Sequence, residues 1–247
     1  MRWMRSIPNF LTLTHLFLGA WGAAEAVAGR LLYASILGLV ATLFDFLDGM
    51  AARALDATSE RGKQLDSLAD VVSFGVLPSL VMMRLMALSN TNWMQGLYLG
   101  SFPVFYFIPF VGTLAAAWRL SGFNLQASSR IFYGLPSPAH ALFLFSLPLM
   151  LRFGFYIIDV DTIIVLEPLL LNPWFLIFIS LFTAGMMVAP YPLYSLKMKP
   201  GGLNQNRALL IVVVTVAVLL VVLSFAALPL LVLAYILLSI IKKPQSE

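Results

Sequence analysis

Cysteine is absent from this 247-residue chain, which excludes disulfide bonds, thiolate metal sites and a cysteine nucleophile. Charge is nearly as scarce. Lys and Arg number 15 and Asp and Glu 11, together 11% of the residues, where a soluble globular domain carries about 25%. Histidine occurs twice, at His15 and His140, and neither has a second histidine at ligand spacing, so an ordinary structural role is expected for both. What the chain has instead is apolar length. Hydrophobic residues make up 61%, and several stretches of about 20 residues, enough to cross roughly 30 Å of hydrocarbon, contain one ionisable residue or none. A disordered chain, a secreted disulfide scaffold and a nucleic-acid-binding domain do not fit this composition; a polytopic membrane protein does.

Apolar windows and chain-breaking residues predict helices over 7–28, 31–54, 62–88, 97–120, 138–155 and 173–196, followed by an apolar run over 208–241. At 1.5 Å per residue that last run would reach about 51 Å, so it reads as a helical hairpin turning near 224–229, where Pro229 interrupts it. The expected fold class is all-α, a polytopic membrane helical bundle of about eight transmembrane helices. It divides into a membrane domain over 1–200 and a C-terminal transmembrane hairpin and tail over 201–247. Arg2 and Arg5 precede the first apolar stretch, but that stretch is span-length and lacks a small-residue cleavage signal, so no cleavable signal peptide is expected. With the N-terminus in the cytoplasm, twelve of the 15 bases fall inside and Arg30, Arg84 and Arg152 outside. That is the positive-inside pattern of an integral protein of the cytoplasmic membrane.

The acids are distributed differently. Six of the 11 lie between Asp45 and Asp70. On a helix, steps of three and four residues return to one face, so Asp45, Asp48, Gly49 and Ala52 line one stripe of the second helix, and Gly62, Asp66, Asp70 and Ser73 line one of the third. A short loop makes these helices antiparallel, so four carboxylates can converge in the cytoplasmic half of the membrane, where unpaired they are costly. The nearby bases Arg53, Arg61 and Lys63 sit toward the loop, which leaves hard divalent cations as partners. All-oxygen ligation suits magnesium, manganese or calcium, and four carboxylates bridging two ions would form a two-metal site for phosphoryl displacement. Gly49 and Ala52 leave open surface beside the carboxylates for a nucleotide, although small residues also serve close helix packing.

The pattern Asp-x2-Asp-Gly-x2-Ala-Arg-x8-Gly-x3-Asp-x3-Asp, carried by Asp45, Asp48, Gly49, Ala52, Arg53, Gly62, Asp66 and Asp70, resembles the signature of the CDP-alcohol phosphotransferases. That family has a six-helix core, and the resemblance covers about 8–197. It implies that Asp45, Asp48, Asp66 and Asp70 hold two divalent cations, Mg2+ or Mn2+, with Asp70 also the general base. It also implies that Gly49, Ala52, Arg53, Ser59 and Gly62 line the site of a CDP-lipid donor. Pro8-Asn9-Phe10-Leu11-Thr12 fits the opening of the family's first helix and adds Asn9 and Thr12 to that donor site. Homodimers are common in the family.

The run from Leu65 to Val76, with Arg119-Leu120, Phe123-Asn124 and the segment from Gly134 to Ala139, resembles the bacterial, membrane-embedded phosphatidylserine synthases within the family. This implies CDP-diacylglycerol and L-serine as substrates. The chain departs from the pattern at Gly122, where a second Arg is usual, at His15, where Asn is common, and at Ala189, where Ser often stands. A serine acceptor needs a cation for its carboxylate, for which Arg119 is the candidate, and Ser73 could orient it. The alternative is a sibling acceptor, glycerol 3-phosphate or inositol phosphate. A transporter would place polar residues at several depths on several helices, whereas here the acids crowd at one face of two. A non-catalytic membrane scaffold would not need Asp70. The C-terminal hairpin shows no polar residue suited to chemistry, so packing or dimer contact is expected of it.

Overall fold

The computed structural model describes residues 6–89, 98–99, 102–125, 132–153, 167–193 and 223–241. Seven helices account for most of them: α1 (Ile7–Val27), α2 (Leu31–Ala54), α3 (Glu60–Leu88), α4 (Val111–Leu125), α5 (Ser137–Phe153), α6 (Pro173–Val188) and α7 (Ala227–Ile241). Four apolar helices, Ile7–Val27, Leu31–Ala54, Glu60–Leu88 and Val104–Gly122, are long enough to cross a membrane, and three shorter apolar ones accompany them. The chain is an all-α integral membrane protein, a fold in which each spanning backbone satisfies its own hydrogen bonds. Its outer surface is apolar, with Phe10, Phe17, Leu114, Trp118 and Phe178 all exposed.

Glycine and a capping serine set the turns that bring the site helices together. α1 ends where Gly29, at φ +81°, takes the left-handed position of a Schellman motif: the Arg30 N–H reaches the Glu25 carbonyl at 2.9 Å and the Gly29 N–H that of Ala26 at 3.0 Å. α2 ends the same way, except that Asp56, at φ 47°, occupies the glycine position and the Ala57 N–H bonds the Ala52 carbonyl. Ser59 then caps α3, its hydroxyl accepting from the Gly62 N–H at 3.0 Å. α1 packs along the length of α2 and also against both halves of α3, so it lies in the seam between the two helices that carry the aspartates.

α3 is not a uniform α-helix. From Val71 to Val76 it widens into a π-helical turn directly after Asp70. Pro78 offers the local cause, since it has no N–H for the Phe74 carbonyl and its ring would crowd that carbonyl in a regular helix. The Gly75 carbonyl accepts from the Ser79 hydroxyl at 2.8 Å and from the Thr113 hydroxyl of α4 at 3.0 Å.

The fourth expected helix is displaced. In its first part Tyr98 pairs with Pro103 and Leu99 with Phe102, a 3-10 turn covers Val104–Phe110, and regular α-structure begins at Val111. Pro103 and Pro109 are the reason, because neither can serve inside an α-helix ladder. α6 also stops at Val188, short of the expected 196, ahead of Pro190 and Pro192. The end of α6 is stitched to the start of α5: Phe132 pairs with Leu193, Gly134 donates to the Tyr191 carbonyl at 3.0 Å, and Leu135 to that of Met186 at 2.8 Å. The expected turn near 224–229 is a 3-10 turn at Ser224–Ala226 leading into α7, with Ser224 at φ 52°. The first arm of the expected hairpin, over 208–222, lies outside the described residues. α7 packs on α5, where the Phe153 and Phe225 rings lie 5.5 Å apart.

The main core joins α3, α5, α6 and α7 through Met82, Leu85, Phe143, Leu144, Leu176 and Ile236. A second core of Ala26, Ala34, Phe74, Leu77, Ala141 and Phe145 locks α1 and α2 onto α3 and α5. Gly38 of α2 lies against the fully buried Phe145 ring, so close that a Cβ would overlap it. Gly38→Ala is therefore expected to destabilise by ~1–3 kcal/mol through overpacking. Thermal unfolding in detergent should show a lowered Tm, partly recovered in a Gly38→Ala/Phe145→Leu double variant.

Candidate functional site

The aspartates of α2 and α3 meet at the end of the bundle where these helices join. Asp45, Asp66 and Asp70 each offer a carboxylate oxygen to a group whose members all lie within 4.8 Å of one another, and the fourth member is a ring nitrogen of His15 from α1. Asp70 and Asp48 are 8% and 5% exposed. The Asp45 and Asp70 carboxyl groups come within hydrogen-bonding reach of each other. Asp48 sits one turn along, with the Thr12 side chain beside its carboxylate, and Asp66 is close enough to act on it electrostatically.

Among the described residues no base neutralises this group by direct pairing. The salt bridges among the described residues are Arg30 with Glu25 and Lys63 with Glu60 at 2.8 Å, which leaves the clustered aspartates without one. Asp48 Oδ2, Asp66 Oδ1 and Asp70 Oδ1 are buried and lack a hydrogen-bond partner among the described residues, as do both ring nitrogens of His15. Like charges in a medium of low dielectric constant repel strongly, and a divalent cation among them turns repulsion into attraction. Carboxylate oxygens gathered within 4.8 Å of one another are close to what a hard cation requires. Three aspartates of the set expected from the sequence, Asp45, Asp66 and Asp70, belong to this group, which has His15 in place of Asp48 and suits a divalent cation.

The residues expected to contact the donor fall into two neighbouring groups. Asn9 Oδ1 and Ser59 Oγ both face Gly62, at 3.2 and 3.0 Å from where a Cβ would stand. Gly62 thus lets two polar side chains close over the first turn of α3, Ser59 as its N-cap and Asn9 from α1. The Arg53 guanidinium folds back over Gly49, its nitrogens 3.6 and 3.9 Å from the equivalent point. Ala52 is half-buried between these groups and Thr12 is buried on α1.

Arg119 approaches from α4. Its Nη1 donates to the Ser137 hydroxyl at 3.4 Å, and its charge acts on Asp70 and on Tyr235 of α7. Tyr235 thereby brings α7 of the C-terminal segment close to Arg119. Ser73 is fully buried, and its hydroxyl donates to the His15 carbonyl at 3.4 Å. Gly122 is exposed, with nothing within 4 Å of a Cβ built on it among the described residues.

His15 is the residue that sequence reasoning set aside. The signal was spacing: Pro8, Thr12, His15, Gly19, Gly22 and Ala26 alternate steps of four and three and form the buried stripe of α1. A histidine on the same stripe as Thr12 had to face what Thr12 faces. His140, by contrast, is buried beside Gly112 and away from the carboxylates.

The sequence profile of the CDP-alcohol phosphatidyltransferases matches residues 5–174. The chain is 33% identical over 144 residues to the CDP-diacylglycerol–serine O-phosphatidyltransferase of Bacillus subtilis, covering 55% of this chain and 71% of that protein. It is 27% identical over 241 residues to the enzyme of the same name from Mycobacterium tuberculosis, covering 94% and 76%. It is 33% identical over 157 residues to the archaetidylserine synthase of Methanothermobacter thermautotrophicus, covering 61% and 60%.

The Ser59 cap holds the first turn of α3 at Gly62. Ser59→Ala is expected to lose about 1 kcal/mol of stability and to speed amide hydrogen exchange in the first turn of α3. Ser59→Asp, which can still accept from Gly62, should keep the wild-type exchange.

Proposed function

The chain belongs to the CDP-alcohol phosphatidyltransferase family, and we propose that it transfers the phosphatidyl group of CDP-diacylglycerol to L-serine, giving phosphatidylserine and CMP. The observation that carries this reading is the convergence of carboxylate oxygens from Asp45, Asp66 and Asp70, with Asp66 Oδ1 and Asp70 Oδ1 buried and without a partner among the described residues, on the helices that also bring Asn9, Ser59 and Gly62 together. The names of the relatives, each with serine as the acceptor, support the choice of alcohol.

In this reading Asp45, Asp48, Asp66 and Asp70 hold two divalent cations, Mg2+ or Mn2+. When bound, these ions supply positive charge to the donor diphosphate and to the departing CMP. Asn9, Thr12, Gly49, Ala52, Ser59 and Gly62 line the cytidine diphosphate site, and Arg53 adds a charge-assisted contact to its phosphates. Asp70 takes the proton from the serine hydroxyl as that oxygen bonds to the phosphorus bearing the diacylglycerol; the bond from that phosphorus to the CMP oxygen breaks. Arg119, whose charge already acts on Asp70, receives the serine carboxylate, and Ser73 helps to orient the acceptor. The excess of bases in the segments at this end supports a site facing the cytoplasm in the cytoplasmic membrane. Residues 1–200 would form the catalytic membrane domain, 201–247 an appended hairpin and tail, and two copies a homodimer.

The decisive assay supplies purified protein with CDP-diacylglycerol, Mn2+ and labelled serine. Labelled lipid and CMP should appear in equal amounts and vanish on chelation with EDTA. Asp70→Asn should lower turnover by about 10²–10⁴ with an unchanged melting profile. Product from glycerol 3-phosphate or inositol phosphate but none from serine would overturn the acceptor assignment, and an active Asp70→Asn variant would overturn the assigned base.

A further inference from the structure

His15 occupies an unusual position for a buried histidine. It is fully buried, and neither ring nitrogen has a hydrogen-bond partner among the described residues. An imidazole always carries at least one N–H, and a neutral one also a lone pair, so such a ring lacks the partners that burial demands. One of its nitrogens lies within 4.8 Å of carboxylate oxygens from Asp45, Asp66 and Asp70, which in turn lie within that distance of one another. Donors sharing one ion at about 2.0–2.2 Å stand at most about 4.4 Å apart, so the four atoms are nearly drawn in to a single sphere.

The ring is also held there. Phe74 lies 5.0 Å from it, tilted by 34°, and Ser73 donates to the His15 carbonyl. Both residues belong to the π-helical turn that begins one residue after Asp70. The same widened turn therefore fixes a carboxylate and the imidazole relative to each other. His140 provides the internal contrast: it too is buried with both nitrogens unpartnered, but it belongs to no such group.

We infer that His15 supplies a nitrogen donor to the divalent-cation site and biases it toward manganese over magnesium. The inference rests on the metal-site reading given above. An imidazole adds a donor without adding another negative charge, and it changes the ligand set from all oxygen to mixed nitrogen and oxygen. Magnesium favours oxygen and holds its waters, whereas manganese and the later divalent metals accept imidazole more readily.

The test uses the full-length protein purified without a polyhistidine tag, loaded with Mn2+ in the absence of substrate, and pulsed electron paramagnetic resonance to detect 14N coupling from a coordinated imidazole. Coupling is expected in the wild type and in His140→Phe, and its loss is expected in His15→Asn. Competition between Mn2+ and Mg2+ should show the manganese preference reduced about tenfold or more in His15→Asn. His140→Phe leaves His15 as the sole histidine of the protein, so coupling in that variant identifies the ligand even where His15→Asn does not fold. Bound Mn2+ without nitrogen coupling in the wild type would overturn the role of His15 alone. Failure of the wild type to bind Mn2+ at all would overturn the metal site with it.

Discussion

A carboxylate inside a lipid-spanning bundle needs a counter-charge, and this chain places several together where it has few charges to spare. Of the bases near them in sequence, Lys63 pairs with Glu60 and Arg53 lies over Gly49. Among the described residues Arg119 reaches toward Asp70 from another helix, and a divalent cation would meet the remaining demand of Asp45, Asp66 and Asp70. Much of the local architecture follows from keeping these oxygens together while leaving room for what neutralises them.

Close helix approach is the means. α1 can lie in the seam between α2 and α3 because its buried face is built of Gly19, Gly22 and Ala26. At Gly19 the Ser73 side chain of α3 fills the space where a Cβ would stand, and at Gly22 Leu77 does the same. Small residues permit this contact in a membrane, where no hydrophobic force drives helices together and packing must come from shape. The consequence for chemistry is that α1 contributes Asn9, Thr12 and His15 to an end of the bundle whose acids come from two other helices.

Much of this was legible in the sequence. The stripe of Asp45, Asp48, Gly49 and Ala52 and the stripe of Gly62, Asp66, Asp70 and Ser73 follow from helical spacing, and α2 spans the expected residues 31–54. Less legible were features set by one residue acting on a distant one. Pro103 and Pro109 broke an apolar stretch that hydropathy reads as continuous, because hydropathy does not register a missing N–H. His15 looked isolated because its neighbours in space come from α2 and α3. The nearness of Arg119 to Ser137 and Tyr235 depends on how α4, α5 and α7 pack, which local periodicity does not encode.

The π-helical turn at Val71–Val76 connects these observations. An extra residue in one turn rotates everything after it, so Asp70 and Leu77 do not keep the angular relation a regular helix would impose. Gly75 then comes so close to α4 that a Cβ would stand 3.3 Å from Thr113 Cα and from the Ala116 side chain, and the Thr113 hydroxyl takes up the Gly75 carbonyl. That contact sets the height of α4, and Arg119 follows three residues beyond Ala116, one turn further along the helix. The cation that bears on Asp70 is thus positioned by the same irregularity that begins at Asp70. Regularising this turn would leave every signature aspartate in the chain, yet it would separate the carboxylate from its imidazole neighbour on one side and from its guanidinium on the other.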